Sequence, residues 1–278
     1  MVPVEPKVAQ LRELLGTLDS ALVAFSGGVD SSFLLHEAAT VLGARCVALT
    51  TVSPTTPQGD LDDAVHLAHA LDVIHVVHHT DELAIPGYAE NPTNRCYFCK
   101  DNLFAICAAE AQGRGIAAIL DGVNLDDLHD HRPGLAAAAE QGIRHPLVEI
   151  GFTKADIRTA SRAAGLTTWD RPASPCLSSR FPYGTPITRE ALARVAAAED
   201  VLRSLGLREL RVRHHDTLAR IEVPVESMPM LLDPAVRERV SAELRRLGYH
   251  WVTLDLGGFR SGSLNDVLRS RKHEGPEG

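Results

Sequence analysis

Through the first half of the chain, short apolar runs alternate with stretches of helical spacing, and this rhythm restricts the fold more than any other feature. Residues 21–25 (ALVAF), 45–52 (RCVALTTV), 73–78 and 116–122 (IAAILDG) have the length and apolar content of buried strands. Around them, 8–18, 29–42, 60–71, 101–112 and 153–164 repeat apolar residues at helical intervals. Strands that are apolar almost throughout, rather than at every second residue, belong to parallel sheets covered on both faces. Strand–helix–strand units close with right-handed crossovers. The expected fold is therefore an α/β domain with a doubly wound, mostly parallel sheet of Rossmann-like type.

The rhythm stops at 169–188, WDRPASPCLSSRFPYGTPIT, where four prolines and no apolar period indicate a linker or an active-site loop. Beyond it, a helix at 189–205, a hairpin from 209–214 and 218–223, a helix at 234–247 and a strand at 250–256 predict a second, smaller α+β domain. The expected divisions are 1–168, the loop 169–188, a small domain at 189–268 and a frayed tail at 269–278.

Composition narrows the function. Lys plus Arg total 28 against 36 Asp plus Glu, a net charge of −8. That argues against a chain gripping nucleic acid across its surface. No apolar run approaches the ~20 residues of a membrane helix, and the first residues lack the apolar segment of a signal peptide. A cytoplasmic protein with no membrane partner is expected. The five cysteines, at 46, 96, 99, 107 and 176, are odd in number, which disfavours a disulfide framework. Cys46 lies mid-strand and Cys107 mid-helix, both as core residues; any special cysteine is a metal ligand or a reactive thiol.

The strongest local signal is AFSGGVDSS at 24–32. A buried strand ends at Phe25, two glycines permit a tight turn, and a helix opens at Val29. Helix-start N–H groups and the helix dipole attract an anion there. Ser26, Ser31 and Ser32 add hydroxyls, and Asp30 can hold a metal or orient the loop. Neither a Walker loop nor G-x-G-x-x-G is present. The string resembles the pyrophosphate loop of the ATP pyrophosphatase (PP-loop) superfamily, whose members split ATP between its α and β phosphates and adenylate a substrate. A second patch, DGVNLDDLHDHRPG at 121–134, follows a predicted strand, where ligands of open α/β sheets collect. Asp126 and Asp127 are candidate Mg2+ ligands, and Arg132 a candidate for a carboxylate or phosphate.

The CxxC of NRCYFCK, Cys96 and Cys99, sits between a Pro/Asn loop and a predicted helix and suits a zinc half-site, a redox pair or part of an iron–sulfur site. Cys176 stands on the proline-rich loop behind Pro175, where Arg180 can lower its pKa if near. Arg211 and Arg213 alternate onto one face of a strand whose hairpin partner carries Glu222, an arrangement suited to phosphate or to a cross-strand salt bridge on a solvated face.

SGGVDSS, NRCYFCK, GVNLDDLHDHRPG and PCLSSRFPYGTPIT, in that order over nearly the whole chain, resemble the LarE family. These are ATP-dependent sulfurtransferases making the nickel-pincer nucleotide cofactor of lactate racemase and related enzymes. The resemblance implies adenylation of the carboxylates of pyridinium-3,5-biscarboxylate mononucleotide and their conversion to thiocarboxylates. Sulfur would come from Cys176 itself, or through a [4Fe-4S] cluster on Cys96, Cys99 and Cys176. By the same resemblance, Cys176 and Asp30 are catalytic; Ser26, Gly27, Gly28, Asp30, Ser31, Ser32, Thr51, Gly122 and Arg132 bind ATP; and Arg95, Lys100, Arg180, Arg211 and Arg213 bind the nucleotide substrate. Asp126, Glu199 and Glu222 are candidates for a divalent cation, and a homo-oligomer, a hexamer, is implied. A tRNA thiolase, an amidating ligase and a non-catalytic nucleotide sensor are the competing readings.

Overall fold

The computed structural model describes residues 4–129, 133–260 and 262–265. Arg132 and the 269–278 tail lie outside the described residues. By its contacts the chain forms two compact units, Met1–Tyr88 with Asn94–Ser174, and Ala89–Thr93 with Pro175–Gly278.

In the first unit the elements run α1 (Val4–Gly16), β1 (Ala21–Ala24), α2 (Val29–Leu42), β2 (Cys46–Val52), α3 (Gln58–Ala70), β3 (Ile74–His79), α4 (Arg95–Arg114), β4 (Ala118–Leu120), α5 (Gly134–Glu140), α6 (Pro146–Ile150) and α7 (Lys154–Ala163). All four strands are parallel, in the order β3-β2-β1-β4. The chain builds outward from β1 to β3, then returns to lay β4 on the other side of β1. This reversal opens a crevice at the carboxyl ends of β1 and β4, the usual ligand position in such sheets.

Side-chain alternation sorts the sheet into two faces. Ala21, Val23, Cys46 and Ala48 join Leu11, Leu15, Phe33, Ala64 and Ile157 from α1, α2, α3 and α7. Leu22, Ala24 and Leu49 point the other way, to Phe104 and Cys107 of α4 and Ala137 and Ala138 of α5. Phe33 and Phe104 are fully buried, each worth about 1.5–3 kcal/mol of transfer free energy.

Helix α4 begins at Arg95, six residues before the apolar period predicts. Its apolar buried residues, Phe104, Cys107 and Ala111, lie beyond the first turns. Those turns add only the half-buried Tyr97 to the apolar stripe, too little for periodicity to reveal them. The CxxC is consequently inside a helix rather than in front of one.

The second unit contains α8 (Arg189–Arg203), β5 (Arg211–His215), β6 (Leu218–Glu222), α9 (Met228–Leu232), α10 (Pro234–Arg246) and β7 (Trp251–Leu254). β5 and β6 form an antiparallel hairpin turning at Asp216, whose φ is +54°, and β7 adds parallel to β6. Leu202, Val212, Ile221, Leu244 and Tyr249 make its core. The irregular stretch at 181–187 is ordered by Asn91, which donates from Nδ2 to the carbonyls of Pro182 (2.7 Å) and Thr185 (3.1 Å). Asn91 also accepts from the Gly184 amide at its own carbonyl. This pairing draws 89–93 into the second unit.

Candidate active site

The serine–glycine loop occupies the carboxyl end of β1. The Phe25 amide still donates to Leu49 (2.8 Å), so the chain leaves the sheet only at Ser26. Gly27 has φ +72°, and a Cβ there would approach Ala64 Cβ at 3.1 Å and the Asp60 carbonyl at 3.2 Å. Both the backbone region and the closeness of α3 require glycine. Gly28 caps α2 with no side-chain hydrogen bond, which leaves first-turn N–H groups for an anion. Ser31 Oγ donates to the Gly28 carbonyl (3.3 Å) and lies 3.1 Å from Ser26 Oγ, fastening the loop across its own turn. Ser32 is fully buried and its hydroxyl meets no partner among the described residues. Gly122 follows β4 into the same crevice; a Cβ on it would stand 2.8 Å from the Ser31 nitrogen and 3.0 Å from Ser31 Cα. Six of the expected nucleotide residues, Ser26, Gly27, Gly28, Asp30, Ser31 and Ser32, thus form one loop, with Gly122 against it. Thr51 is half-buried near the end of β2, the strand that pairs with β1 up to Ala24 and Leu49.

Charge reaches this loop from residues that no motif marks. Lys154, at the start of α7, contacts Asp30 Oδ2 through Nζ at 2.5 Å. Arg171 donates from Nη1 to the Gly27 carbonyl (3.0 Å) and pairs through Nη2 with Asp60 (2.7 Å) and Asp63 (2.8 Å). Asp126, expected to hold Mg2+, accepts from the Lys154 amide (2.7 Å). Asp127 accepts from the Asn124 amide (3.1 Å). His145 Nδ1 lies 2.6 Å from the buried carboxylate of Asp121, whose hydrogen bond outweighs desolvation and raises the imidazole pKa. His75, on β3, is half-buried. It meets Thr50 Oγ1 at 2.8 Å and packs edge-on to Phe25, and burial lowers its pKa.

Cys96 is exposed and Cys99 half-buried. Three residues apart in the first turns of α4, they project from one helix face. Cys99 Sγ lies 4.0 Å from Oε1 of Glu82, which is only 5% exposed. Arg95 is buried beside them, and Lys100 extends over the Phe104 ring at 5.2 Å. Cys46 and Cys107 are fully buried, and burial pushes both thiols up to about 12.

In the second unit Cys176 is half-buried, immediately before a 3-10 turn, Leu177–Arg180. Arg180 is fully buried and gives its donors inward, to Glu199 Oε1 (2.8 Å) and Oε2 (2.9 Å), to the carbonyls of Pro175 (2.7 Å) and Cys176 (3.2 Å), and to Ser179 Oγ (2.9 Å). Arg213 grips Glu222 in the same bidentate way, at 3.0 and 2.8 Å, and also donates to the Ser179 carbonyl (2.7 Å) and Ser263 Oγ (2.8 Å). Sequence left a phosphate site or a salt bridge on a solvated face; the structure shows an Arg213–Glu222 salt bridge, but on a buried face, since Arg211, Arg213 and Glu222 are all buried. Arg211 lies over the Phe259 ring at 5.0 Å, and burial with the nearby charge of Arg180 lowers its pKa to about 10. Glu199 and Glu222 are each held by guanidinium groups, and no three metal-ligating side chains converge among the described residues.

The fold and the loop agree with what the chain is similar to. No protein-family model matches the chain. An uncharacterized protein of Synechocystis sp. is 46% identical over 264 residues, 95% of this chain and 98% of that one. An uncharacterized protein of Methanocaldococcus jannaschii is 27% identical over 240 residues, 86% of this chain and 90% of that one. The pyridinium-3,5-bisthiocarboxylic acid mononucleotide synthase of Lactiplantibacillus plantarum is 40% identical over 269 residues, 96% of this chain and 97% of that enzyme. With likeness of that degree over essentially both full lengths, the chain belongs to the family of pyridinium-3,5-bisthiocarboxylic acid mononucleotide synthases, the LarE family.

Proposed function

We propose that this chain is an ATP-dependent sulfurtransferase that converts the carboxylates of pyridinium-3,5-biscarboxylate mononucleotide to thiocarboxylates, in cytoplasmic synthesis of the nickel-pincer nucleotide. The observation that carries this is the serine–glycine loop at the reversal point of the parallel sheet, where α2 begins without a side-chain cap. A carboxylate is a poor electrophile, and activation supplies the missing leaving group. The substrate carboxylate attacks the α-phosphorus of ATP and the bond to pyrophosphate breaks. The leaving pyrophosphate is met by the loop N–H groups and by the nearby charges of Lys154 and Arg171. Sulfur then attacks the acyl carbon, the acyl–oxygen bond breaks, and AMP departs. Any Mg2+ would accompany the ATP phosphates, with Asp30 and Asp126 as candidate carboxylates.

Sulfur delivery runs through Cys176, either as the donor itself or as a ligand of a sulfide-carrying cluster. As the donor itself, its thiolate forms the acyl–sulfur bond; loss of the Cα proton and cleavage of the Cβ–S bond then leave dehydroalanine and a thiocarboxylate. In the alternative route, Cys96 and Cys99, on one face of α4, and Cys176 would be the thiolate ligands of a [4Fe-4S] cluster. Bound there, such a group supplies a transferable sulfide in place of the Cys176 sulfur. The assembly is taken as a homo-oligomer.

Incubation with ATP tests the reading. AMP and pyrophosphate should form only with the pyridinium dicarboxylate, and AMP formation driven by tRNA or ammonia would overturn it. Cys176→Ala should keep adenylation and lose sulfur transfer. Anaerobically purified protein should show iron–sulfur absorbance that Cys96→Ala abolishes; stoichiometric zinc without iron would exclude the cluster.

A further inference from the structure

Arg171 is the residue through which the nucleotide loop touches the segment leading to Cys176. Within the first unit, side-chain bonds tie that segment, 169–174, to α7, to α3 and to the loop. Arg158 donates to the carbonyls of Trp169 (2.7 Å) and Arg171 (2.8 Å), fixing its backbone to α7. The Arg171 side chain then reaches the other way, to the Gly27 carbonyl and to Asp60 and Asp63 at the start of α3. Ser174 closes the run by donating to Asp60 Oδ2 (2.7 Å). After Ser174 only Pro175 intervenes before Cys176.

One carboxylate, Asp60, therefore receives both the guanidinium that reads the loop and the hydroxyl that ends the tether. Arg171 is bonded to the loop's own backbone, so negative charge arriving on the loop N–H groups arrives beside it. A triphosphate is a stronger bidentate acceptor for guanidinium than a carboxylate as exposed as Asp63, at 57%. The same incoming charge repels Asp60 and Asp63. Once Arg171 turns from Asp60 and Asp63 to the phosphates, the segment keeps Ser174 as its side-chain bond to α3, and the repulsion strains that one.

We propose that Arg171 is a nucleotide-responsive latch, a positioning residue that restrains the Cys176-bearing segment until ATP occupies the serine–glycine loop. The proposal rests on the adenylation reading. It orders the two half-reactions, because the sulfur-bearing segment loosens only once the nucleotide needed to activate the acyl group is in place.

Hydrogen exchange of the purified full-length protein tests it, with α,β-methylene-ATP, which cannot be cleaved at the reacting bond. The analogue should slow exchange in the peptide covering 25–32 and speed exchange across 169–176 by roughly fivefold, the scale of losing partly exposed ion pairs. In Arg171→Gln the 169–176 peptide should exchange at the faster rate from the outset and ignore the analogue. Arg171→Lys should restore part of the response, and Asp63→Asn, at an exposed position, should shift the wild type toward the released state. A merely structural arginine would give faster exchange in the variant but leave the response to nucleotide intact, which overturns the latch. Protection of 25–32 with 169–176 unmoved or slowed in the wild type also overturns it, alone. No protection at 25–32 overturns the adenylation reading and the latch with it.

Discussion

Arg180→Met should destabilise the second unit by about 3 kcal/mol, more than its surface-like residue type suggests. The guanidinium and its partner Glu199 are both fully buried, with two parallel hydrogen bonds of 2.8 and 2.9 Å between them. Breaking such a pair from one side strands a charge and costs ~3–5 kcal/mol. Glu199 keeps Arg203 at 2.8 Å and the Val212 amide at 3.1 Å, which places the loss at the lower end of that range. The carbonyls of Pro175 and Cys176 also lose their donor. In Glu199→Gln the arginine is left uncompensated, and the loss should be at least as large. Combined with Glu199→Leu, the methionine should cost much less than the sum, a coupling of ~2 kcal/mol or more. Burial pushes the Glu199 carboxyl up, but Arg180 and Arg203 outweigh it and the pKa falls below the ordinary glutamate value. A lowered carboxylate contributes stability above its unfolded pKa of ~4.3 and loses it as pH falls through the folded value. The gap between wild type and Arg180→Met should therefore narrow in acid. Hydrogen exchange of the β5 and β6 amides against denaturant is the suitable assay, because a chain of two compact units has no single unfolding midpoint. A loss below about 1 kcal/mol at neutral pH, or single losses that simply add, would refute the reasoning.

Gly122→Ala should weaken ATP binding and cost ~1–3 kcal/mol, since the added methyl meets Ser31 backbone at 2.8–3.0 Å; unchanged nucleotide titration would count against it. The raised pKa of His145 means the His145–Asp121 pair stabilises below the ordinary histidine value of ~6.5 and ceases to do so as pH rises through the folded value. Asp121→Asn should lower the His145 midpoint seen by NMR titration and flatten that part of the stability profile. Iodoacetamide at neutral pH should leave Cys46 and Cys107 unmodified in the folded protein, their thiols being buried and pushed up to about 12, while Cys96 reacts; peptide mass spectrometry reads the sites directly.

What could be read from the sequence was local. SGGVDSS carries its chemistry in consecutive residues, and strands such as 21–25 announce a doubly covered sheet by being apolar throughout. The start of α4 was hidden because its first turns add only Tyr97 to the apolar stripe, and Cys96 and Cys99, expected in front of the helix, lie inside it. Lys154 and Arg171 gave no signal at all. Their partners lie 124 residues away at Asp30 and 144 at Gly27, and a lone lysine or arginine has no motif.

Arg211, Arg213 and Glu222 show a third kind of limit. Alternation correctly put the arginines on one strand face but could not say what covers it. The cover comes from the 3-10 turn after Cys176, from α8 through Glu199, and from Ser263. Once that face is closed, isolated guanidinium groups there would be too costly to desolvate, and two of them take carboxylate partners. The same carboxylates that sequence offered to a metal are thus the ones that make a buried arginine cluster affordable. Because Arg180 also holds the Pro175 and Cys176 carbonyls, that charge balance fixes the backbone from which the proposed sulfur donor projects.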